Sequence, residues 1–454
     1  MPPTPNSVTG QPPAVAEWLA GSGLAPSALQ DLVGQQPRLG LARALLALVD
    51  SDGLSDQALR EQLVAAHTDA RQAGAREESL VYGIYLFTHR HYQATADHLV
   101  VHLACFPGDV VAVPLLAAFS LSERADYRAH GETLVEQQYA LAGEDSWPWA
   151  GWLAAVRAEQ GRPQEAYDLA QHALALEPRS GPAAHARAHA EHEYGAGPAF
   201  IDAWLTANSR ALQRRHLQWH AALQSLATGD FADARRRADT ELRHGDVGMR
   251  SATNWRLLLA GQSPARVTEA THAHALLAAP GGWAEVFHTF QLALALAVVA
   301  DADGLVRLAE RAAADPRPDY AEVLAPVAHA LAHITADRPG AAVDLLAPLS
   351  REIHRIGGVR VEREIIQDTL ARALIDTGEP ARAAQLLHHR TTHRHHHTYE
   401  DHLLRPVACG RPKQCRSSTN SRPLGRRTAP GVDKKAMSPR TPTAISEKPT
   451  TNEL

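Results

Sequence analysis

The sequence predicts an all-α fold: a solenoid of antiparallel helix pairs followed by a disordered C-terminal tail. Three observations lead there. Hydrophobic residues make up 45% of the 454-residue chain and charged residues 21%, a balance that can bury a core. Aromatic content is only 5% while alanine recurs throughout, and this favours closely packed helices over sheets. Finally, turn glycines return at a fixed interval. The segments "AEQGRPQEAYDLAQHAL", "HEYGAGPAFIDAWL" and "LATGDFADARRRADTEL" place Gly161, Gly195 and Gly229 at steps of 34 residues (195 − 161 and 229 − 195).

That step is the length of a tetratricopeptide (TPR) unit, two antiparallel helices joined by a short turn. The expected architecture is a TPR-like right-handed superhelical solenoid over residues 14–404, clearest over 147–246. It is preceded by a disordered N-terminus at 1–13 and followed by a basic disordered tail at 405–454.

Along the chain, "HRHYQATADHLV" and "ERADYRAHGETLVEQQYA" read as divergent units upstream of the central block. Cys105 between them carries no catalytic motif and is expected to be buried, as most lone cysteines are. Trp147, Trp149 and Trp152 surround Pro148 and read as core residues, with groove contact by one of them as the alternative. Ala166 and Ala234 each stand five residues after a turn glycine, where two helices cross and only a small side chain fits. Ala173 and Pro178 in "ALALEP" close the first of these units, since proline cannot continue the helix. Downstream, "LALALAVVA" from Leu292 to Ala300 is far short of the roughly 20 apolar residues of a membrane span and reads as a buried helix. "ADADGLVRLAE" and "ITADRPGAAVDLLAPL" put Asp303 and Asp337 in equivalent turns. "IGGV" at 356–359 lacks phosphate-loop spacing and reads as a turn between helices, and "DTGEPARAAQLLHHR" supplies a last helix pair. The His-rich run 388–397 could take up metal adventitiously.

From about residue 405 the usage changes. All the lysines (Lys413, Lys434, Lys435, Lys448) lie beyond that point, amid dispersed Pro, Ser and Thr without apolar periodicity. Such a segment cannot bury a core. A C-terminus read from a different frame would give the same break.

The formal net charge of −5 offers no general attraction to nucleic acid or membrane. The start lacks a basic n-region and a continuous apolar run, so no export signal is read. With three cysteines, Cys105, Cys409 and Cys415, no disulfide framework is implied. The expectation is a cytoplasmic protein without a cofactor.

"HARAHAEHEYGAG", "WL" at 204–205 and "RRHLQWHAALQSLATGDFADA" resemble the tetratricopeptide repeat protein 38 family. The matching residues are His185, His189, Gly195, His216, Trp219, His220, Ala222, Leu223, Leu226, Gly229 and Asp230. Ile356, Gly357, Gly358, Arg363, Leu386, Leu387 and Arg390 match further on, so that the likeness covers roughly residues 75–405. The chain departs from the family pattern at His192, Val359 and Glu362. The resemblance implies an architecture and a groove more than an activity.

The richest chemistry is "HARAHAEHEYG". In the repeat register His185, His189, His192 and Glu193, with His216, Trp219 and His220 of the next unit, fall on the inner surface. Spacing of i, i+4 puts each histidine pair on one helix face. Three readings are open. A recognition groove for a peptide, a protein or a small acidic ligand would use all seven residues, its imidazoles gaining protons between about pH 8 and 6. A metal site would use His185, His189, His216 and His220 and could serve a metal-assisted hydrolase with Glu193 as base, although "HExxH" is absent. Polar packing without a ligand is the plainest reading. A regulatory or sensor role for the whole solenoid is a further expectation.

Overall fold

The computed structural model describes residues 6–121, 125–243, 247–266, 269–279, 283 and 285–406. Among these every regular element is a helix and no strand occurs. The first eight helices are α1 (Pro13–Leu19), α2 (Ala25–Gln35), α3 (Gly40–Val49), α4 (Asp56–Ala73), α5 (Ala75–Thr88), α6 (Tyr92–Cys105), α7 (Ala117–Leu121) and α8 (Ala125–Ala142). Three hairpins follow: α9 (Trp147–Glu159) with α10 (Pro163–Leu176), α11 (Gly181–Tyr194) with α12 (Ala199–Ala207), and α13 (Arg214–Ala227) with α14 (Phe231–Asp239). The next are α15 (Val247–Leu259) with α16 (Glu269–Ala278) and α17 (Val286–Val298) with α18 (Ala302–Ala313). A π turn at Asp319–Leu324 leads into α19 (Ala325–Thr335), which pairs with α20 (Pro339–Leu346). The last are α21 (Arg360–Asp376), α22 (Pro380–His393) and α23 (Thr398–Leu403).

One local device builds the hairpins. At Gly195 the chain turns left-handed (φ 71°), its N–H bonds the His192 carbonyl, and the next N–H reaches back to Glu191. These paired bonds satisfy the orphan carbonyls of the helix end. The same bonds recur at Gly161, Gly229, Gly261 and Gly378, all with positive φ. They recur without glycine at Arg90 (φ 60°), Ala300 (φ 57°) and Asp337 (φ 57°). The register expected downstream is therefore corrected: the turn equivalent to Asp337 is Ala300, while Asp303 lies in the first turn of α18, whose cap is Asp301. Prolines 163, 182, 339 and 380 occupy first turns, where no N–H is needed.

Alanine sets the helix spacing. Ala158 of α9, Ala166 of α10 and Ala190 of α11 form one buried cluster, and Ala154, Ala170 and Ala186 form the next. Between α11 and α13 the contact is Ala184 and Ala188 against Leu217 and Ala221. The run Leu292–Val298 is buried, as expected. Cys105 is exposed, against expectation. Among the described residues no helix is long and apolar enough to cross a membrane.

The chain closes on itself. Helix α21 packs against α15, and α23 packs against α13 and α21. The Glu159 carboxylate, at the end of α9, accepts the Arg360 N–H at 3.0 Å, and Glu285 ahead of α17 accepts from Arg90 and Tyr92 at 3.2 and 3.3 Å. At the other end, Gly181 and Leu212 donate N–H bonds to Ala20 and Gly21 at 2.8 and 2.9 Å. Gly23 permits this approach, because a Cβ there would overlap the Arg210 carbonyl. Residues 6–13, expected to be disordered, hold a 3₁₀ turn at Val8–Gly10, and Asn6 bonds Pro107 and Val110. Residues 1–5 and the tail from 407 lie outside the described residues.

Ala166 and Ala234 are both fully buried. Leucine at either site is expected to cost about 1–3 kcal/mol through overpacking. Urea denaturation checks this, with exposed Ala381→Leu as the neutral control.

Candidate functional site

The i, i+4 pairs His185/His189 on α11 and His216/His220 on α13 meet across the alanine contact. Their Nε2 atoms converge: His185 to His220 at 2.9 Å, to His216 at 2.9 Å and to His189 at 3.0 Å, with His216 to His220 at 3.1 Å. His220 is buried away from the adjoining cavity, whereas His185, His189 and His216 line it.

Proton bookkeeping cannot satisfy this cluster. A neutral imidazole nitrogen is either a donor or an acceptor. His185, His216 and His220 form a closed triangle of Nε2 contacts, and an odd ring cannot alternate donor and acceptor. At least one edge must set two N–H groups, or two lone pairs, against each other. Protonating every ring makes all the edges repulsive. A cation at the centre removes the conflict, because every Nε2 then presents a lone pair to it.

The spacing fits such an ion. A metal–nitrogen bond of about 2.0–2.1 Å separates ligand nitrogens by about 2.9 Å at right angles and about 3.4 Å in a tetrahedron. The observed 2.9–3.1 Å lies at the lower end of that span. The ring nitrogens of His185, His189 and His220 lie within 4.8 Å of one another. On the outer side, His220 Nδ1 is buried without a hydrogen-bond partner, so the shell that usually steadies a ligating imidazole is incomplete there.

Burial also keeps the rings neutral. It lowers His189 to about 4, against an opposing pull from Glu193, and lowers His216 to about 3 with help from His189. His185 and His220 are pushed well below the ordinary range by burial and then by the neighbouring imidazoles. These directions oppose the protonation expected between about pH 8 and 6. Neutral imidazole is the form a metal requires.

The cavity beside the tetrad has a volume of about 350 Å³. Leu116, Phe119, Val135, Trp147, Trp152 and Val156 wall one side, and Phe287 with the turn Gly357–Val359 walls the other. Two of the three clustered tryptophans thus reach it, while Trp149 is core and donates its Nε1–H to the Gly108 carbonyl at 3.0 Å. Sequence reasoning missed the functional placement of "IGGV". Its two positive-φ glycines were legible, but the contact with Phe287, some 70 residues earlier, has no local signal.

The remaining three predicted groove residues lie elsewhere. Trp219 is buried, its ring 5.5 and 5.0 Å from those of His216 and His220. Glu193 pairs with Arg394 at 2.9 Å and does not line the cavity, which removes it as a base for chemistry there. His192 lines a second, one-water-sized void of about 10 Å³ among Arg256, Arg390, Arg394, Glu364, Asp368 and Glu400. In that network Arg394 bonds Glu364 and Glu400 at 2.9 Å, and Arg390 reaches Asp368 at 2.6 Å. The seven residues therefore form three environments rather than one groove.

Burial alone would raise the Glu364 carboxyl, but Arg394, Arg390 and Arg360 overcome it and hold the group well below the usual carboxylate range. A depressed folded-state pKa contributes stability above the unfolded value near 4.3 and loses it as pH falls below that value. Glu364→Gln leaves two buried guanidiniums short of charge and is expected to cost about 3–5 kcal/mol at pH 7. It should also flatten the loss of stability between about pH 4.3 and 2. Denaturant titrations across that range measure both effects.

Compared with protein-family models, curated proteins and solved structures, the chain matches none of them, so the functional reading rests on the chemistry of the site.

Proposed function

We propose that this chain is a TPR-like solenoid, of the kind its family resemblance implies, that binds a divalent first-row transition metal through His185, His189, His216 and His220. The ion sits in the wall of a cavity that receives a small, mostly apolar molecule. The observation that carries this reading is the closed triangle of Nε2 contacts, joined by a fourth imidazole, which protons cannot satisfy and a cation can.

An all-imidazole set suits zinc, copper, iron or nickel and excludes the hard cations that prefer oxygen. Four neutral ligands leave the ion's double positive charge uncompensated, which makes it a strong Lewis acid toward an oxygen atom of a molecule in the cavity. His185, His189 and His216 border the cavity, so an ion they held would offer its Lewis acidity to a molecule there. The small acidic ligand considered from sequence is kept. The open peptide groove is not, because Trp219, His192 and Glu193 face other environments.

Full-length protein purified without an affinity tag is expected to carry about one equivalent of transition metal per chain, read by mass spectrometry of the ion content. The pair His185→Ala/His220→Ala should abolish it, and removing histidines 388, 389 and 393 should not. A chelator should lower the melting temperature of the wild type but not of the pair variant, since an ion bound only to the folded state stabilises that state. Absence of stoichiometric metal, or its retention in the pair variant, defeats the proposal.

A further inference from the structure

The cavity contains a charge that the metal site does not use. Arg128, on α8, lines it and has no hydrogen bond or ion pair to any described residue. The other charged groups on the wall are engaged. Glu159 accepts from the Arg360 N–H and from Arg363, Glu132 accepts from Gln160, Glu285 accepts from Arg90 and Tyr92, and Glu362 accepts from the Val359 N–H.

The Arg128 guanidinium is in an uncomfortable place. Burial lowers its pKa from the ordinary value, the Arg363 guanidinium lowers it further, and Glu159 and Glu132 pull the other way. Arginine does not discharge at any physiological pH, so a desolvated guanidinium needs an anion. Its planar fork of N–H donors matches a carboxylate, and pairs of this kind are among the strongest hydrogen bonds available to a ligand. Besides these carboxylates, the histidines, Ser120, Ser180 and Gln213, the wall is apolar: leucine, valine, phenylalanine and tryptophan side chains from α8, α9, the segment 113–121 and Phe287. A volume of about 350 Å³ falls within the range of pockets that enclose small organic molecules.

Resting on the metal reading for the identity of the site, we infer that the natural occupant is a small apolar carboxylic acid, an aryl-alkyl or branched aliphatic acid, whose carboxylate sits on Arg128. The apolar body fills the space between the Trp147/Trp152 wall and Phe287. Arg128 is thus a specificity residue that selects an anion over a neutral molecule of the same shape.

Isothermal titration calorimetry of the full-length, metal-containing protein tests this with a graded series of phenylalkanoates and their primary amides. At least one acid is expected to bind at least about tenfold more tightly than its amide, the discrimination due to a hydrogen-bonded charge pair. Arg128→Gln should bring that acid down to the level of the amide while leaving amide affinity and metal content unchanged. Arg128→Lys should restore part of the preference. Equal affinity for acid and amide overturns the inference, as does an undiminished preference in Arg128→Gln or the absence of binding across the series at millimolar concentration. A preference lost in His185→Ala/His220→Ala but kept in Arg128→Gln would place the carboxylate on the ion and also overturns it. If the protein holds no metal yet the Arg128-dependent preference persists, the metal reading fails and this one stands.

Discussion

The site depends on how closely α11 and α13 approach. Their contact is made by Ala184, Ala188 and Ala221, and it is tight enough that the Gln224 side-chain amide bonds the Ala188 carbonyl of the neighbouring helix at 3.1 Å. Small residues at a helix contact allow the axes to approach the lower limit of helix packing, roughly 8 Å, and so help bring the imidazoles of the two helices together. Leucine in place of these alanines would push the axes apart and open the tetrad. The alternating small residues of "AAHARAHAEH" are therefore part of the site, since they set the distance that gives the histidines their chemistry.

The legible part of this molecule was local. Turn glycines at 161, 195 and 229 mark hairpins because only glycine takes a left-handed turn without penalty, and the i, i+4 histidine pairs announce a shared helix face. The turns at Arg90, Ala300 and Asp337 carry no such mark, because tertiary packing imposes φ values that their sequence does not favour. The inner-surface assignment of His192 and Glu193 failed for a different reason. They share an angular face with His185 but lie seven and eight residues along the helix, about 10–12 Å at 1.5 Å per residue. At that height the C-terminal segment brings Arg394 and Glu364 against α11, beside Leu223 and Leu226 of α13. A periodicity fixes direction around a helix, and it says nothing about which distant segment waits at each level. The cavity is the extreme case, since its walls come from stretches as separated as 113–121 and 357–362.

The two polar interiors follow opposite logics. Around the small void, Arg256, Arg390 and Arg394 face Glu193, Glu364, Asp368 and Glu400, so the desolvated charges compensate one another within the protein. Such a network adds little net stability compared with apolar packing, but it fixes which helices can dock. Here it ties α22 and α23 to α11 and α21, which closes the chain on itself. Around the large cavity the carboxylates are engaged by protein partners, while the imidazole tetrad and Arg128 are not satisfied in the same way. Four imidazoles meet through their Nε2 atoms, and the Arg128 guanidinium makes no hydrogen bond or ion pair with a described residue.

That contrast separates scaffold from function. A fold that had only to be stable would neutralise its buried groups internally, as the C-terminal network does. Groups that the chain leaves without a hydrogen-bonding partner are where a ligand from outside can be sought, and each states the chemistry such a ligand would need. On the proposed readings, the tetrad calls for a cation that accepts nitrogen lone pairs and Arg128 for a planar anion. In an apolar cavity both attractions are strengthened by the low dielectric, and each also lowers the cost of the other, because a bound anion offsets the positive charge the ion brings. On the proposed readings, metal and acid would be coupled ligands, each binding more tightly when the other is present.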